Sequence, residues 1–383
     1  MGSLKLGSVT ESLGGGTGSS TETITDQIAE TVDDLVATVE REQVEAVLVS
    51  GDVYDRALPP PDAVRLLSRT LGRLRRAGAQ VVLSAGNHDS PARLGFADEV
   101  LAAAGVHVRT TADSLTEPVR IDVVGSSADP AAMHLTVLVE ENAQADVVIA
   151  HRGTAVLAQN VEFDVRRDAR LNVVALQAWE GDAVHVSAQQ ASVATNAHFK
   201  HVAVSYGGGV VRLTPTARFA AERGEAEMYG LYFADAGQHL ENRLFVDHNQ
   251  PDCVSNVLYK GALQGTDART VWVGDVLIRK EAEGTDTYEK NQNLLLSDGA
   301  RADSVPNLEI ETGVIEGAGH ASATGRFDET QLFYLMARGI PETEARRLIV
   351  RGFLNEIIQK IGVGDVEDEL TAVMEDELRI AQL

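Results

Sequence analysis

The chain has 383 residues, 44% of them hydrophobic, and 57 acidic against 33 basic residues give a formal charge of -24. That length supports two or three cores or one elongated architecture, and an acidic field of this size repels phosphate backbones, which excludes sequence-independent nucleic-acid binding through a basic surface. A single cysteine, Cys253, excludes an intrachain disulfide and any all-cysteine metal cage. No long uninterrupted apolar run occurs, and the start Met1-Gly2-Ser3-Leu4-Lys5-Leu6 lacks a basic region followed by an apolar stretch, so the expectation is a cytoplasmic protein with no membrane insertion.

Residues 1–22 contain Gly14-Gly15-Gly16-Thr17-Gly18-Ser19-Ser20, a flexible-tail composition. From about Thr23 the spacing of Ile28, Val32, Leu35, Val36 and Val39 predicts a helix. Val44 to Ser50 reads as a buried strand, Pro61 to Ala77 as a helix with Val64, Leu67, Leu71 and Leu74 inward, and Gln80 to Ser84 as a second strand. Residues 23–115 therefore form a small α/β segment.

After about Thr116 the texture changes to short Val-rich strands through most of the remaining chain. A turn-like pair, an acidic or amide residue followed by Ala, opens runs at Asn142-Ala143, Asp168-Ala169, Asn196-Ala197, Glu225-Ala226 and Asp267-Ala268. The first three intervals are nearly equal, and a period of that length fits stacked coils of a solenoid over 116–340 better than a β-sandwich, whose turns recur far more often. From Pro341 the chain is helical again. Ridges Ile349-Phe353-Ile357-Ile361 and Val350-Leu354-Ile358 end at Gly362, and a second helix carries Val366, Leu370, Val373 and Leu378. The ridge of Ile349, Phe353 and Ile357 is expected either to dock a partner or to pack on the solenoid end or the second helix.

Two groups of motifs carry chemistry. Gly51-Asp52-Val53-Tyr54-Asp55 and Gly86-Asn87-His88-Asp89 follow the two strands of the first segment, where ligands gather in α/β sheets. A bridging carboxylate, an amide oxygen and a histidine suit a metal-dependent phosphoester hydrolase. The stretch from Val47 to Val108 resembles the calcineurin-like metallophosphoesterases, most nearly the SbcD-type exonuclease subunit. That family also uses an Asp-x-His after the first strand and two later histidine-bearing strand ends, which this sequence lacks; Gly319-His320-Ala321-Ser322 has serine where a second histidine belongs. Only Asp52, Asn87 and His88 carry over, a vestigial metal set, so catalysis is not expected.

The second group is denser. Asn242-Arg243-Leu244-Phe245-Val246-Asp247-His248, Cys253 to Gly261, Asn291 to Leu296, Arg301 to Ile310, Gly319 to Gly325 and Phe333 to Ile340 follow one another in order. Over about 116–378 they resemble the SufB/SufD family of iron-sulfur cluster assembly proteins, nearer the SufD type. The resemblance implies a mainly β fold, a right-handed parallel β-helix with C-terminal helices (341–383) that dock a SufC-like ABC ATPase. It further implies pairing with a SufB-like scaffold subunit, with a homodimer as the alternative, and a transient iron-sulfur cluster shared with that partner. No Gly-x-x-x-x-Gly-Lys-Ser/Thr loop occurs, so ATP would be bound only through the ATPase. The family's partner-facing histidine falls on His320, the first ligand candidate. Cys253, the only thiol, is the second, against the plainer reading of a small buried hydrophobe. His239 and His248 are assigned no role. The family's usual N-terminal helical domain is replaced here by the nuclease-like segment, joined near residues 109–116.

Overall fold

The computed structural model describes residues 32–33, 35–41, 44, 46–49, 53–54, 58–84, 90–96, 98–109, 118–326 and 329–380. The chain divides into two compact units, 1–113 and 114–383.

The first unit holds three parallel strands in the order β1 (Ala46–Val49), β2 (Gln80–Ser84), β3 (Val106–Arg109). Between β1 and β2 runs α1 (Pro61–Arg76), and two short helices, α2 (Pro91–Leu94) and α3 (Asp98–Ala103), lead into β3. Val32, Val36, Val39, Leu74, Val81, Leu83, Leu94, Val106 and Val108 form its core, with Leu67 and Leu71 partly buried against it. Val64, in the first turn of α1, departs from the expected inward set and is exposed.

The second unit is a parallel β-solenoid of about seven turns. Its strands are β4 (Val119–Val139), β5 (Gln144–Val165), β6 (Arg170–Trp179), β7 (Val184–Val193), β8 (His198–Ser205), β9 (Val210–Phe219), β10 (Glu225–Ala234), β11 (His239–His248), β12 (Val254–Leu263), β13 (Arg269–Ile278), β14 (Thr285–Leu295), β15 (Arg301–Ile310) and β16 (Ile315–Arg326). The even strands stack on the first half of β5 and the odd strands on its second half, giving the order β15-β13-β11-β9-β7-β5-β6-β8-β10-β12-β14-β16. The coil lengthens along the chain, as the pairing of Gln144 with Arg170 near its start and of Val254 with Asp286 near its end shows.

One corner explains the sequence repeat. Asn142, Asp168, Asn196, Arg223 and Asp252 take positive φ of 62°, 57°, 55°, 58° and 56°, and Gly284 follows at 73°. Asn and Asp tolerate this left-handed conformation better than other side chains. They also bond in a ladder: Asn196 donates to Asp168 Oδ1 at 2.9 Å, and Arg223 donates to Asn196 Oδ1 at 3.0 Å. The next residue of each corner points inward, so the strand registers stack Ala143, Ala169, Ala197, Gly224, Cys253 and Thr285 in one small-residue column. The repeat read from sequence therefore needs two corrections. Glu225-Ala226 lies just past its corner, where Gly224 takes the place of alanine, and Asp267-Ala268 belongs to the opposite corner, between β12 and β13.

The two sheets differ in what covers them. Odd strands such as β7 and β9 alternate strictly between buried and accessible, as a sheet with one solvated face must. Even strands are buried almost throughout, and β10 runs Met228 to Ala234 without an exposed residue. Their outer face is covered by α5 (Glu342–Ile358) and α6 (Gly364–Ile380), which follow the more exposed α4 (Glu329–Ala337). Val350, Leu354, Ile357, Ile358, Ile361, Val366, Leu370 and Met374 pack on Val148, Val174, Val202, Tyr229, Leu231, Leu258 and Leu294. Each such side chain contributes about 2 kcal/mol on burial. The expected ridge is thus core along the flank of the solenoid, not at its end: Ile357 is fully buried, and Phe353 is partly buried under the Lys260 ammonium, 4.5 Å from its ring centroid. α5 ends at Ile358 with Gln359 as its cap, and Gly362, the stop expected from sequence, lies beyond it in the loop to α6 with φ of 72°.

Candidate functional site

The last coil is one of the two ends of the strand stack. β16 pairs with β14 alone, and its alternate residues His320, Ser322 and Thr324 lie opposite Glu289, Asn291 and Asn293, the inward set of β14. His320 is exposed at 47% of its side chain, because no further coil stacks on β16.

Beneath it the polar groups fall into two kinds. Asn291 and Asn293 are saturated: the Tyr232 hydroxyl donates to Asn293 Oδ1 at 2.6 Å, Asn291 donates to the Tyr232 oxygen at 2.8 Å, and Asn293 donates to Ser304 at 2.9 Å and Thr324 at 3.2 Å. Glu289, on the same inward face, is 1% exposed, and neither carboxyl oxygen has a hydrogen-bond partner among the described residues. His320 lies beside it, Nδ1 to Oε1 at 3.7 Å, too long for a hydrogen bond. Burial pushes the Glu289 carboxyl up to about 8, with the nearby Asp275 charge adding to the effect. Sequence reasoning missed Glu289. The signal was present in the period-two reading of β14, whose inward set Thr285, Thr287, Glu289, Asn291, Asn293 is polar where earlier coils are apolar.

Cys253 lies elsewhere. It is fully buried in the small-residue column, its thiol 3.4 Å from the Pro251 carbonyl and 3.6 Å from that of Ala221, and burial raises it to about 11. Two inter-strand steps and the offset along the strand put it roughly 15 Å from His320, beyond sharing one ion. His239 and His248 begin and end β11; His239 sits beside Glu241, and the buried His248 Nε2 meets Ser255 Oγ at 2.8 Å. Asp52, Asn87 and His88 lie outside the described residues. Among the described residues no three His, Cys, Asp or Glu side chains come together to hold a metal ion.

Residues 123–353 match the family model described as SUF system FeS cluster assembly, SufBD core domain. The chain belongs to the SufBD family. It is 59% identical over 275 residues to an iron-sulfur cluster assembly SufBD family protein of Mycobacterium bovis, covering 70% of this chain and 69% of that protein. A Mycobacterium leprae protein of the same description is 56% identical over 70% of each chain, and a second from that organism is 29% identical over 52% of this chain and 23% of its own length. One organism thus carries two SufBD relatives of this chain. Residues 23–184 also match a calcineurin-like phosphoesterase model, which overlaps the start of the solenoid. No helix among the described residues is long and apolar enough to cross a membrane.

Proposed function

We propose that this chain is a SufD-like, non-enzymatic scaffold subunit of a SufBCD-type complex, holding one side of a nascent iron-sulfur cluster during its assembly and transfer. The observation that carries the reading is His320: an imidazole on the last strand of a SufBD solenoid, half-exposed because that strand is paired on one side only. Imidazole follows thiolate as a ligand for nascent iron-sulfur centres, and a ligand on an open edge can be shared and then released. A SufB-like subunit stacks its own donors against β15 and β16, and a homodimer would use the same edge. A SufC-like ATPase docks on the C-terminal helices and supplies all ATP binding. Phe333, Tyr334 and Met336 of α4, 72%, 56% and 42% exposed, are the apolar anchors on offer, in place of the buried ridge of α5.

The test is anaerobic reconstitution of the complex with its SufB-like and SufC-like partners, read by visible absorbance. Cluster yield should fall sharply for His320→Ala and little for Cys253→Ser. Equal yield for His320→Ala and parent would remove the ligand assignment, and a collapse for Cys253→Ser alone would move the chemistry to the thiol.

The calcineurin-like match supports one second reading, a manganese-dependent phosphodiesterase using Asp52, Asn87 and His88. On the scaffold reading the purified chain shows only background hydrolysis of a generic phosphodiester. Turnover abolished by His88→Ala would favour the second.

A further inference from the structure

A buried carboxyl with both oxygens unsatisfied has given up its hydration with nothing in exchange, and so calls for an explanation. The position of Glu289 sharpens the question. Strand registers place it in an interior column that reads Val147, Val173, His201, Met228, Val257, Glu289, His320 from the first coil to the last. Four of the first five levels are apolar, and the buried His201 has its Nε2 hydrogen-bonded to Gln189 Oε1 at 2.6 Å. Glu289 breaks the column immediately before the solenoid opens. Space is kept for it: a Cβ on Gly274 of β13 would collide with Glu289 Oε2 and with the Trp272 ring. The asparagines beside it have found partners, whereas the buried Tyr259 hydroxyl and Trp272 indole N–H, like Glu289, have none among the described residues; of the three, Glu289 is the one in register with His320.

Resting on the reading of His320 given above, we propose that Glu289 is a second donor of this chain, and that Glu289 and His320 form one oxygen-nitrogen half-site for a ferrous ion, completed by donors from the partner subunit. Two donors each held about 2.1 Å from one ion lie about 3 to 4 Å apart, a range that contains the observed 3.7 Å. Carboxylate and imidazole together suit a borderline divalent cation. An ion here would satisfy the unpaired carboxyl, and its exposed side would remain open to a neighbouring chain. Iron is then delivered as cargo to a preformed pair on the SufD-like side rather than to a single histidine.

The experiment uses the full chain with its 10 histidines isotopically labelled, titrated with Mn(II) as the ferrous probe and read by paramagnetic broadening of ring signals. His320 is assigned from the His320→Ala spectrum. In the parent, His320 should broaden at lower Mn(II) than the partly exposed His134, which lies beside Glu162. Glu289→Gln should shift the His320 midpoint at least tenfold higher. So should Glu289→Met, which copies Met228 two coils earlier and guards against a misfolded glutamine variant. Both variants should keep or raise the urea midpoint of the parent, since each removes an unsatisfied buried carboxyl. Equal His320 midpoints in parent and Glu289→Gln, or broadening of His320 no earlier than His134, would overturn the proposal; so would a large stability loss in both variants, which would make Glu289 a structural residue. Cluster yield of the His320→Ala complex is measured separately. A surviving yield defect with no role for Glu289 sinks this inference alone, and no yield defect sinks the reading beneath it.

Discussion

Four imidazoles are sealed inside the solenoid, and three of them, besides the likewise lowered but fully hydrogen-bonded His151, should make it acid-labile well above the carboxylate range. Burial lowers His185 to about 3, and His201 and His248 to about 4, from an ordinary 6.5. Each has one ring nitrogen without a hydrogen-bond partner among the described residues. The unfolded chain takes up these protons below about 6.5 while the native state refuses them, so stability present above 6.5 is lost as pH falls. Between about pH 7.5 and 5 each group costs about 2 kcal/mol, about 6 in all, at about 1.36 kcal/mol per pH unit. Glu289 acts in the opposite sense. Its carboxyl is raised from 4.5 to about 8, so the native state holds a proton that the unfolded state releases, and acidification over the same interval returns about 3 kcal/mol. The net expected loss is about 3 kcal/mol, roughly 1–2 M in urea midpoint. Tryptophan fluorescence isolates the event, because the chain's two tryptophans, Trp179 and Trp272, both lie in the solenoid core. His201→Met, which copies the residue stacked on it in the next coil, should reduce the loss to about 1 kcal/mol. A parent equally stable at both pH values, or a His201→Met variant as acid-sensitive as the parent, would refute the argument.

Further expectations concern packing and docking. Lys260→Ala should cost about 2 kcal/mol, since the buried ammonium donates to the Phe353 carbonyl at 3.0 Å and pairs with Glu356, and thermal denaturation would show it. Native Cys253 should resist iodoacetamide at neutral pH and react only on unfolding, as mass spectrometry would show. Gly274→Ala should destabilise by about 1–3 kcal/mol in a urea titration, because the added Cβ would collide with the fully buried Trp272 ring as well as with the Glu289 carboxyl. Phe333→Asp should abolish pull-down of a SufC-like ATPase without changing the circular dichroism of the solenoid, whereas Phe353→Asp should destabilise the helical flank itself.

How far the sequence could be read follows from which forces act locally. The corner residues Asn142, Asp168 and Asn196 were legible because a left-handed turn restricts residue type at a single position. Arg223 and Gly284 were not, since one breaks the preference and the other replaces it, and the period then drifted onto Asp267 of the opposite corner. The ridge of α5 was visible as apolar spacing, but spacing does not say what covers a face. That information lay in the even strands, whose unbroken buried runs such as Met228 to Ala234 already required a second layer. His320 was found through a motif, whereas Glu289, a full coil earlier, becomes meaningful only when the coil length is known and the two fall into register.

The flank helices also change how this molecule can come apart. A stacked array with only neighbour contacts has no reason to melt as one, and its free ends can fray coil by coil. Here a single apolar cluster takes residues from β5, β6, β8, β10, β12 and β14 together with α5 and α6. The helices are pinned at separate levels, Glu369 by Arg152 of β5, the Ile361 carbonyl by Asn172 of β6 and the Phe353 carbonyl by Lys260 of β12. Coils far apart in the stack, from β5 to β14, therefore share a common support and are expected to be lost as one cooperative event, so that β16, which carries His320, pairs with a strand that is itself held by the helices.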